Sequence, residues 1–265
     1  MQLDTAEIND LWACARAMAD AARVETLRHF RVGVASDNKL AEGFDPVTEG
    51  DRAAERAMRA VLAERRPEDA ILGEEYGAQP GTTGLTWVLD PIDGTRAYIS
   101  GTPTWGVLIS VNSAEGPIMG LIDQPYIGER FEGGAGLAAM TGPLGTAPLR
   151  VKATRDLADA TIFTTFPEVG STAEGAAFHA VASRCKLTRY GMDCYAYALL
   201  AAGQVDLVIE AGLSSYDISA PIAVIEAAGG IVTDWQGDKV HEGGNALAAA
   251  TPELHAAAME ILSDA

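Results

Sequence analysis

Along the first thirty residues, Ile8, Leu11, Ala15, Met18, Ala19, Ala22 and Leu27 recur at roughly helical spacing. That spacing predicts an amphipathic helix with these side chains turned inward. A second apolar stripe, Ala54, Met58, Val61 and Leu62, predicts a helix from near Asp51 to Glu64 that Pro67 stops. The pattern then changes. Short apolar runs at 70–73, 86–89, 105–112 and 117–124 read as strands, followed by a Gly-rich stretch at 133–136 that is a weak turn signal. The second half alternates more plainly. It predicts strand 161–165, helix 173–184, strand 187–190 and helix 193–202, with Asp193 suited to its N-cap. Strand 205–210 and helix 218–228 follow, the helix halted by Gly229-Gly230. Short strands at 231–233 and 246–250 and a closing helix over 252–262, opened by Pro252, complete a mixed α/β pattern.

The chain has 265 residues, of which 48% are hydrophobic, enough to bury a full core as one large domain or two packed subdomains. It shows no internal repeat, low-complexity tract or obvious linker. The formal charge of −18 argues against nucleic acid and anionic membrane as partners, since both attract basic patches. Cys14, Cys185 and Cys194 are odd in number and widely spaced, which predicts a reducing compartment, no disulfide framework and no zinc site. The N-terminus lacks a basic segment followed by an apolar one, and no apolar run approaches a membrane span. A cytoplasmic protein is expected.

The candidate chemistry lies in residues 87–95, Trp87-Val88-Leu89-Asp90-Pro91-Ile92-Asp93-Gly94-Thr95, with Gly73-Glu74-Glu75 just upstream. Taken singly, an Asp-Gly pair is a turn and a Glu-Glu pair a solvated surface. Together the acids stand at strand ends, where α/β folds gather their ligands. Glu210-Ala211-Gly212 closes another strand-like run, and Tyr216-Asp217 leads into a helix. Carboxylates and carbonyls suit hard divalent cations, and Gly94 lets backbone N–H groups approach an anion. The pattern predicts a binuclear Mg²⁺ site beside a phosphate, and hence a metal-dependent phosphatase. The bound cations would also reconcile so acidic a chain with an anionic substrate.

These residues resemble the inositol monophosphatase family of Mg²⁺-dependent, lithium-sensitive phosphatases. The first signature of that family is similar to Trp87–Thr95, and the second to Tyr216-Asp217-Ile218-Ser219-Ala220-Pro221, continuing to Glu226-Ala227-Ala228-Gly229-Gly230. Asp45-Pro46-Val47-Thr48-Glu49-Gly50-Asp51 matches a further segment that carries a functional Asp. The resemblance spans nearly the whole chain. It implies a single domain over 1–265, with subdomains of about 1–150 and 151–265, folded as a layered α-β-α-β-α sandwich of the inositol monophosphatase and fructose-1,6-bisphosphatase type. It also implies two or three Mg²⁺ ions. Asp90 would bridge them, Glu74 and the backbone carbonyl of Ile92 would complete the nucleophile side, and Asp93 and Asp217 would hold the leaving-group side. Thr95 would bind the attacking water, with Asp51 orienting or deprotonating its hydroxyl and Glu74 taking part in catalysis. The N–H groups of Gly94 and Thr95 would cradle the phosphate. Duller roles remain open: Asp90 also suits a turn cap, and Asp217 a helix cap. Glu75 reads as a supporting or surface acid and Lys39 as a solvated lysine. His29, His179, His241 and His255 have no catalytic placement.

Substrate choice must lie outside the metal ligands. Gly191-Met192-Asp193-Cys194-Tyr195 looks like the bacterial histidinol-phosphate phosphatase branch, and Asp193 and Glu210 could pair with the ammonium and imidazole of that substrate. The alternative reading makes Asp193 a helix cap and packs Tyr195 and Tyr197 into the core. Tyr216 stands where many family members have Trp, Gly50 where Ala or Thr is common, and Ser214-Ser215 where a larger or basic residue is expected. These departures bear on the substrate and leave the metal ligands intact. L-Histidinol phosphate is therefore the expected substrate of a family whose members are often homodimers. Inositol 1-phosphate is the alternative, ahead of a nucleotide 3′-phosphate or a sugar bisphosphate. A degenerate, metal-responsive binding protein is the rival from another class, and the complete set of acids argues against it.

Overall fold

The structure is a computed structural model that describes residues 3–33, 35–39 and 46–262. Asp45 of the Asp45–Asp51 segment therefore lies outside the described residues. In chain order the elements are α1 (Thr5–His29), β1 (Ser36–Asn38), β2 (Pro46–Thr48), α2 (Glu49–Arg65), β3 (Ala70–Gly73), β4 (Gly77–Gln79), β5 (Thr86–Asp93), α3 (Thr95–Ser100), β6 (Gly106–Ser113) and β7 (Gly116–Gln124). They continue with β8 (Glu129–Gly134), β9 (Leu137–Gly142), β10 (Gly145–Pro148), a 3₁₀ turn (Leu157–Asp159), β11 (Thr161–Thr164), α4 (Thr172–Ala182) and β12 (Leu187–Tyr190). The last are α5 (Cys194–Ala201), β13 (Leu207–Ser214), α6 (Ser215–Ala227), β14 (Ile231–Asp234), β15 (Gly243–Ala249) and α7 (Pro252–Leu262).

Local chemistry sets the two long N-terminal helices. Asp4 caps α1 by accepting from the N–H groups of Ala6 and Glu7. Thr48 and Asp51 box the start of α2, where Asp51 Oδ2 accepts from the Thr48 N–H at 2.8 Å. The inward stripe of α1 holds at Leu11, Ala15, Met18, Ala19 and Ala22, but Leu27 is exposed. Its neighbour Thr26 takes the inward position and accepts from the Tyr98 hydroxyl through its carbonyl at 2.6 Å. That shift reflects the 3.6-residue period: one residue off the stripe turns a side chain by about 100°.

Eight strands form the first sheet in the order β10-β9-β8-β7-β6-β5-β3-β4, and five form the second in the order β12-β11-β13-β15-β14. In the first sheet only β3 and β5 run parallel. On one face of it, α1 and α2 share a core with Trp87, Leu89, Val107, Ile109 and Leu121. Between the sheets, α5 and α6 pack with Leu108, Ile122, Val208 and Ala248. Beyond the second sheet, α4 and α7 close a third core around Phe178, Ile162, Leu247 and Leu254. The result is the expected α-β-α-β-α layering.

Several strands were not legible in the sequence. β8, β9 and β10 carry Gly, Ala and Thr in place of alternating large residues, and charged positions such as Arg130 are held in salt bridges to Asp123 and Asp20. Of the Gly-rich stretch, Gly133 and Gly134 belong to β8, and only Ala135 and Gly136 turn the chain into β9. Gly120 and Gly133 have a packing role. A Cβ on Gly120 would lie 2.4 Å from the Ala220 carbonyl oxygen, and one on Gly133 would lie 2.4 Å from Val224 Cα. The α6 backbone thus rests directly on the sheet at two points.

Candidate metal centre and active site

β3 and β5 deliver the first acids together because they are parallel neighbours and β3 ends at Gly73 opposite Leu89, which sets Glu74 beside Asp90. The Glu74 N–H donates to the Leu89 carbonyl at 3.1 Å, just beyond the end of β3. In a regular strand Asp90 and Asp93 would face opposite sides of the sheet, since side chains alternate with period two. The register of β5 against β6 shifts between these two residues, and the irregularity at Pro91-Ile92 restores both carboxylates to one site. Asp217, in the first turn of α6, completes a trio: one carboxylate oxygen from each of Asp90, Asp93 and Asp217 lies within 4.8 Å of the others.

Each acid is also held locally. Asp90 Oδ1 accepts from the Ile92 N–H at 3.0 Å, Asp93 Oδ2 from the Cys194 N–H at 2.6 Å, and Asp217 Oδ2 from the Ser214 N–H at 2.7 Å. The turn-capping and helix-capping contacts anticipated for Asp90 and Asp217 therefore exist, and use one oxygen of each carboxyl. Glu74 Oε1 accepts from Lys39 Nζ at 2.9 Å, whereas its buried Oε2 has no donor among the described residues. Lys39, read as solvated, has its side chain 26% exposed and also bonds Glu75 Oε1 at 2.5 Å, and Glu75 takes the supporting place that the sequence allowed it. Burial pulls the Lys39 ammonium down, but the charges of Glu74 and Glu75 hold it above its ordinary value. Glu55, which sequence reading missed, is fully buried and accepts from the Glu75 N–H at 2.7 Å, fixing the turn that presents both acids. The only available signal was that Glu55 falls beside Ala54 on the inward face of α2.

These groups repel one another without a cation. Burial raises the Glu74 carboxyl to about 7. Asp90 is driven well above the usual range by burial and then by Glu74, Asp93 and Asp217; Asp93 is raised by burial and then by Asp217 and Asp193. A buried all-oxygen donor set, one orphaned carboxylate oxygen and mutual repulsion fit a hard divalent cation such as Mg²⁺.

Beside the acids, Gly94 turns the chain into α3 with φ of +86°. The Thr95 hydroxyl lies 3.2 Å from the Ile92 carbonyl and 3.3 Å from Asp51 Oδ1. Asp51 is fully buried, and burial raises it to about 6 against hydrogen bonds from Thr48. Asp193 occupies the N-cap position of α5, as expected, but its side chain makes no capping bond. Its backbone is held at φ +45°, an uncommon conformation for Asp, and its carboxyl stands against Gly94. A Cβ on Gly94 would meet Asp193 Cγ at 2.8 Å. Gly94→Ala is therefore expected to cost about 1–3 kcal/mol of stability and, by displacing Asp193 and the turn, about 10²-fold in kcat/KM. Denaturant unfolding and steady-state kinetics check both; a variant matching wild type in each would mean that the turn yields freely.

The whole cleft is about 360 Å³ in volume, and the wall facing the acids comes largely from the second sheet and α5. Glu210 accepts from the Thr165 N–H at 2.7 Å and from the hydroxyls of Thr165 and Thr164 at 2.9 and 3.1 Å. Burial nevertheless raises it to about 7. Burial likewise lifts Asp193 to about 6 against the pull of the Arg96 charge. Arg96 and Phe166, both missed in the sequence, line the same cleft with the guanidinium 4.7 Å from the ring centroid. Tyr197 projects from α5 with its hydroxyl buried and unpartnered. Its ring also belongs to the core between the sheets, the place the alternative reading gave it.

Three comparisons agree with this arrangement. A family model described as the inositol monophosphatase family matches residues 8–265. The chain is 38% identical over 272 residues to the chloroplastic bifunctional phosphatase IMPL2 of Arabidopsis thaliana, covering 98% of this chain and 77% of that one. It is 36% identical over 251 residues to a histidinol-phosphatase of Streptomyces coelicolor, covering 91% and 92% respectively. Among solved structures, an inositol monophosphatase from Zymomonas mobilis superposes with a TM-score of 0.85 at 35% identity, over 98% of this chain and all of that one.

Proposed function

Because this chain belongs to the inositol monophosphatase family, and is thus a phosphatase of small phosphoric monoesters, we propose that its substrate is L-histidinol phosphate and its metal Mg²⁺. The observation that carries this reading is the pair of buried carboxylates, Asp193 and Glu210, that share one cleft with the acid trio. A substrate bearing an ammonium and an imidazole matches that charge; a ring of hydroxyls does not need it. Similarity to a protein named histidinol-phosphatase supports the same choice.

In this reading Glu74, Asp90, Asp93, Asp217 and the Ile92 carbonyl hold two or three Mg²⁺ ions. When bound, the ions supply Lewis acidity and a water of lowered pKa. The chain does the rest. The N–H groups of Gly94 and Thr95 at the start of α3 bind phosphate oxygens. Asp51 accepts the hydroxyl proton of Thr95, so that the Thr95 oxygen is free to accept one from the attacking water; the 3.3 Å Thr95–Asp51 separation supports this order. Arg96 shares the charge of Asp193, which leaves Glu210 the larger part of ammonium recognition. Inositol 1-phosphate is the second reading, favoured by the likeness to the Zymomonas mobilis protein. Among the described residues no helix is long and apolar enough to cross a membrane. By the same family resemblance we read the protein as a cytoplasmic homodimer.

The test is kcat/KM on L-histidinol phosphate and on inositol 1-phosphate, side by side with Mg²⁺. A preference of about a hundredfold for the former, some 2.7 kcal/mol in the transition state, is expected. A flat or reversed ratio would return the substrate to the wider family.

A further inference from the structure

The Tyr197 hydroxyl has no role in the chemistry above, yet it is the polar atom most in need of one. Tyr197 is 3% exposed and lines the catalytic cleft from the first turns of α5, and its hydroxyl is buried with no hydrogen-bond partner among the described residues. Phenylalanine would fill the same volume without the penalty of an unpaired buried hydroxyl. The neighbouring groups identify what the hydroxyl faces. Tyr197 lines the same cleft as Glu210, Asp93 and Asp217, so the proposed amine pocket and the acid trio both border it. Thr164 and Thr165 already satisfy Glu210 on its other side.

We propose that Tyr197 is a specificity-determining residue whose hydroxyl oxygen accepts a hydrogen bond from an ammonium carried on the carbon next to the ester carbon of the substrate. This deepens, and rests on, the reading of the substrate as a phosphorylated amino alcohol. With the phosphate held at Gly94 and the acid trio, the first polar group beyond the ester carbon would lie in the cleft that Tyr197 and Glu210 also line. A neutral phenol and a carboxylate on either side of an ammonium satisfy two of its three donors without adding a second full charge.

The experiment compares wild type and Tyr197→Phe on L-histidinol phosphate and on its deamino analogue, the imidazolyl-propyl phosphate that lacks only the amine. The readout is the ratio of the two kcat/KM values, with Tm measured in the absence of substrate. Wild type is expected to prefer the amine, and Tyr197→Phe to lower that preference about tenfold or more, mainly through KM, as loss of a hydrogen bond to a charged group does. The Tm of the variant should equal or exceed that of wild type, because the hydroxyl is unpaired in the free protein. A wild-type amine preference that survives in Tyr197→Phe overturns the assignment of Tyr197 alone. A lower Tm overturns it too, by showing that the hydroxyl is already partnered. Equal turnover of both esters by wild type overturns this assignment together with the amino-alcohol reading.

Discussion

Asp93→Asn should lose at least about 10³-fold in kcat/KM, some 4 kcal/mol of transition-state stabilisation, while its metal-free form melts higher than wild type. The substitution preserves size, and the new carboxamide would still offer an oxygen to the Cys194 N–H, which donates to Asp93 at 2.6 Å. What disappears is one negative charge from a trio packed within 4.8 Å. In the proposed mechanism that charge would be central, because a weaker cation site would forfeit the Lewis acidity and the water of lowered pKa that a bound cation supplies. For folding it is a liability, since Asp93 is raised by burial and by Asp217 and Asp193. The opposite signs separate function from structure. Kinetics with Mg²⁺ and melting in EDTA check them: a folded variant with wild-type activity removes Asp93 from the site, and a lower melting temperature means that its hydrogen bond outweighs the repulsion.

Chelation should abolish turnover and also expose a pH dependence of stability that Mg²⁺ reverses. Burial raises Glu74 and Glu210 to about 7 and Asp51 and Asp193 to about 6, with Asp90 and Asp93 well above the ordinary range. A carboxyl whose folded value exceeds its unfolded one, near 4, binds its proton more tightly when folded. The stability this confers is present in full at low pH and is lost as pH rises through the folded value. In EDTA the melting temperature should therefore fall between about pH 5 and 8 as these groups ionise. Added Mg²⁺ should raise it, and more at pH 8 than at pH 5, because the cation binds the ionised carboxylates. Melting curves across that range decide the matter. A metal-free curve that is flat or climbs, or a Mg²⁺ increment independent of pH, would mean that these acids are already neutralised by other means.

Much of the candidate site was legible because its acids sit in contiguous motifs at strand ends, and Glu74, Asp90, Asp93 and Asp217 do converge in one cleft. The irregularity between Asp90 and Asp93 that makes this convergence work was not legible, since Pro91 signals a turn without saying which way the strand parity changes. Lys39 was misjudged as solvated because charge alone does not report partners thirty-five and thirty-six residues along the chain, at Glu74 and Glu75. Arg96 and Phe166 were invisible for a similar reason: their contact joins α3 to the loop after β11. The long helices and central strands were readable from apolar spacing. The missed strands, β8 to β10 above all, replace large alternating residues with glycine, alanine and salt-bridged arginine, so their pairing is written in the neighbours they meet.

The two glycines beneath α6 carry a consequence for how this centre is tuned. Asp217 rides on a helix, Asp90 and Asp93 on a sheet, and bare backbone contact at Gly120 and Gly133 sets the gap between those two bodies. The contact of Gly120 with Ala220 falls one turn from Asp217 itself. A methyl group at either glycine would act as a shim, lifting the helix and widening the caliper that grips the cation. Affinity for a cation proposed at this site would thus be adjustable from positions that never touch it, with the smallest side chains in the sheet as the gauge of the charged site above them.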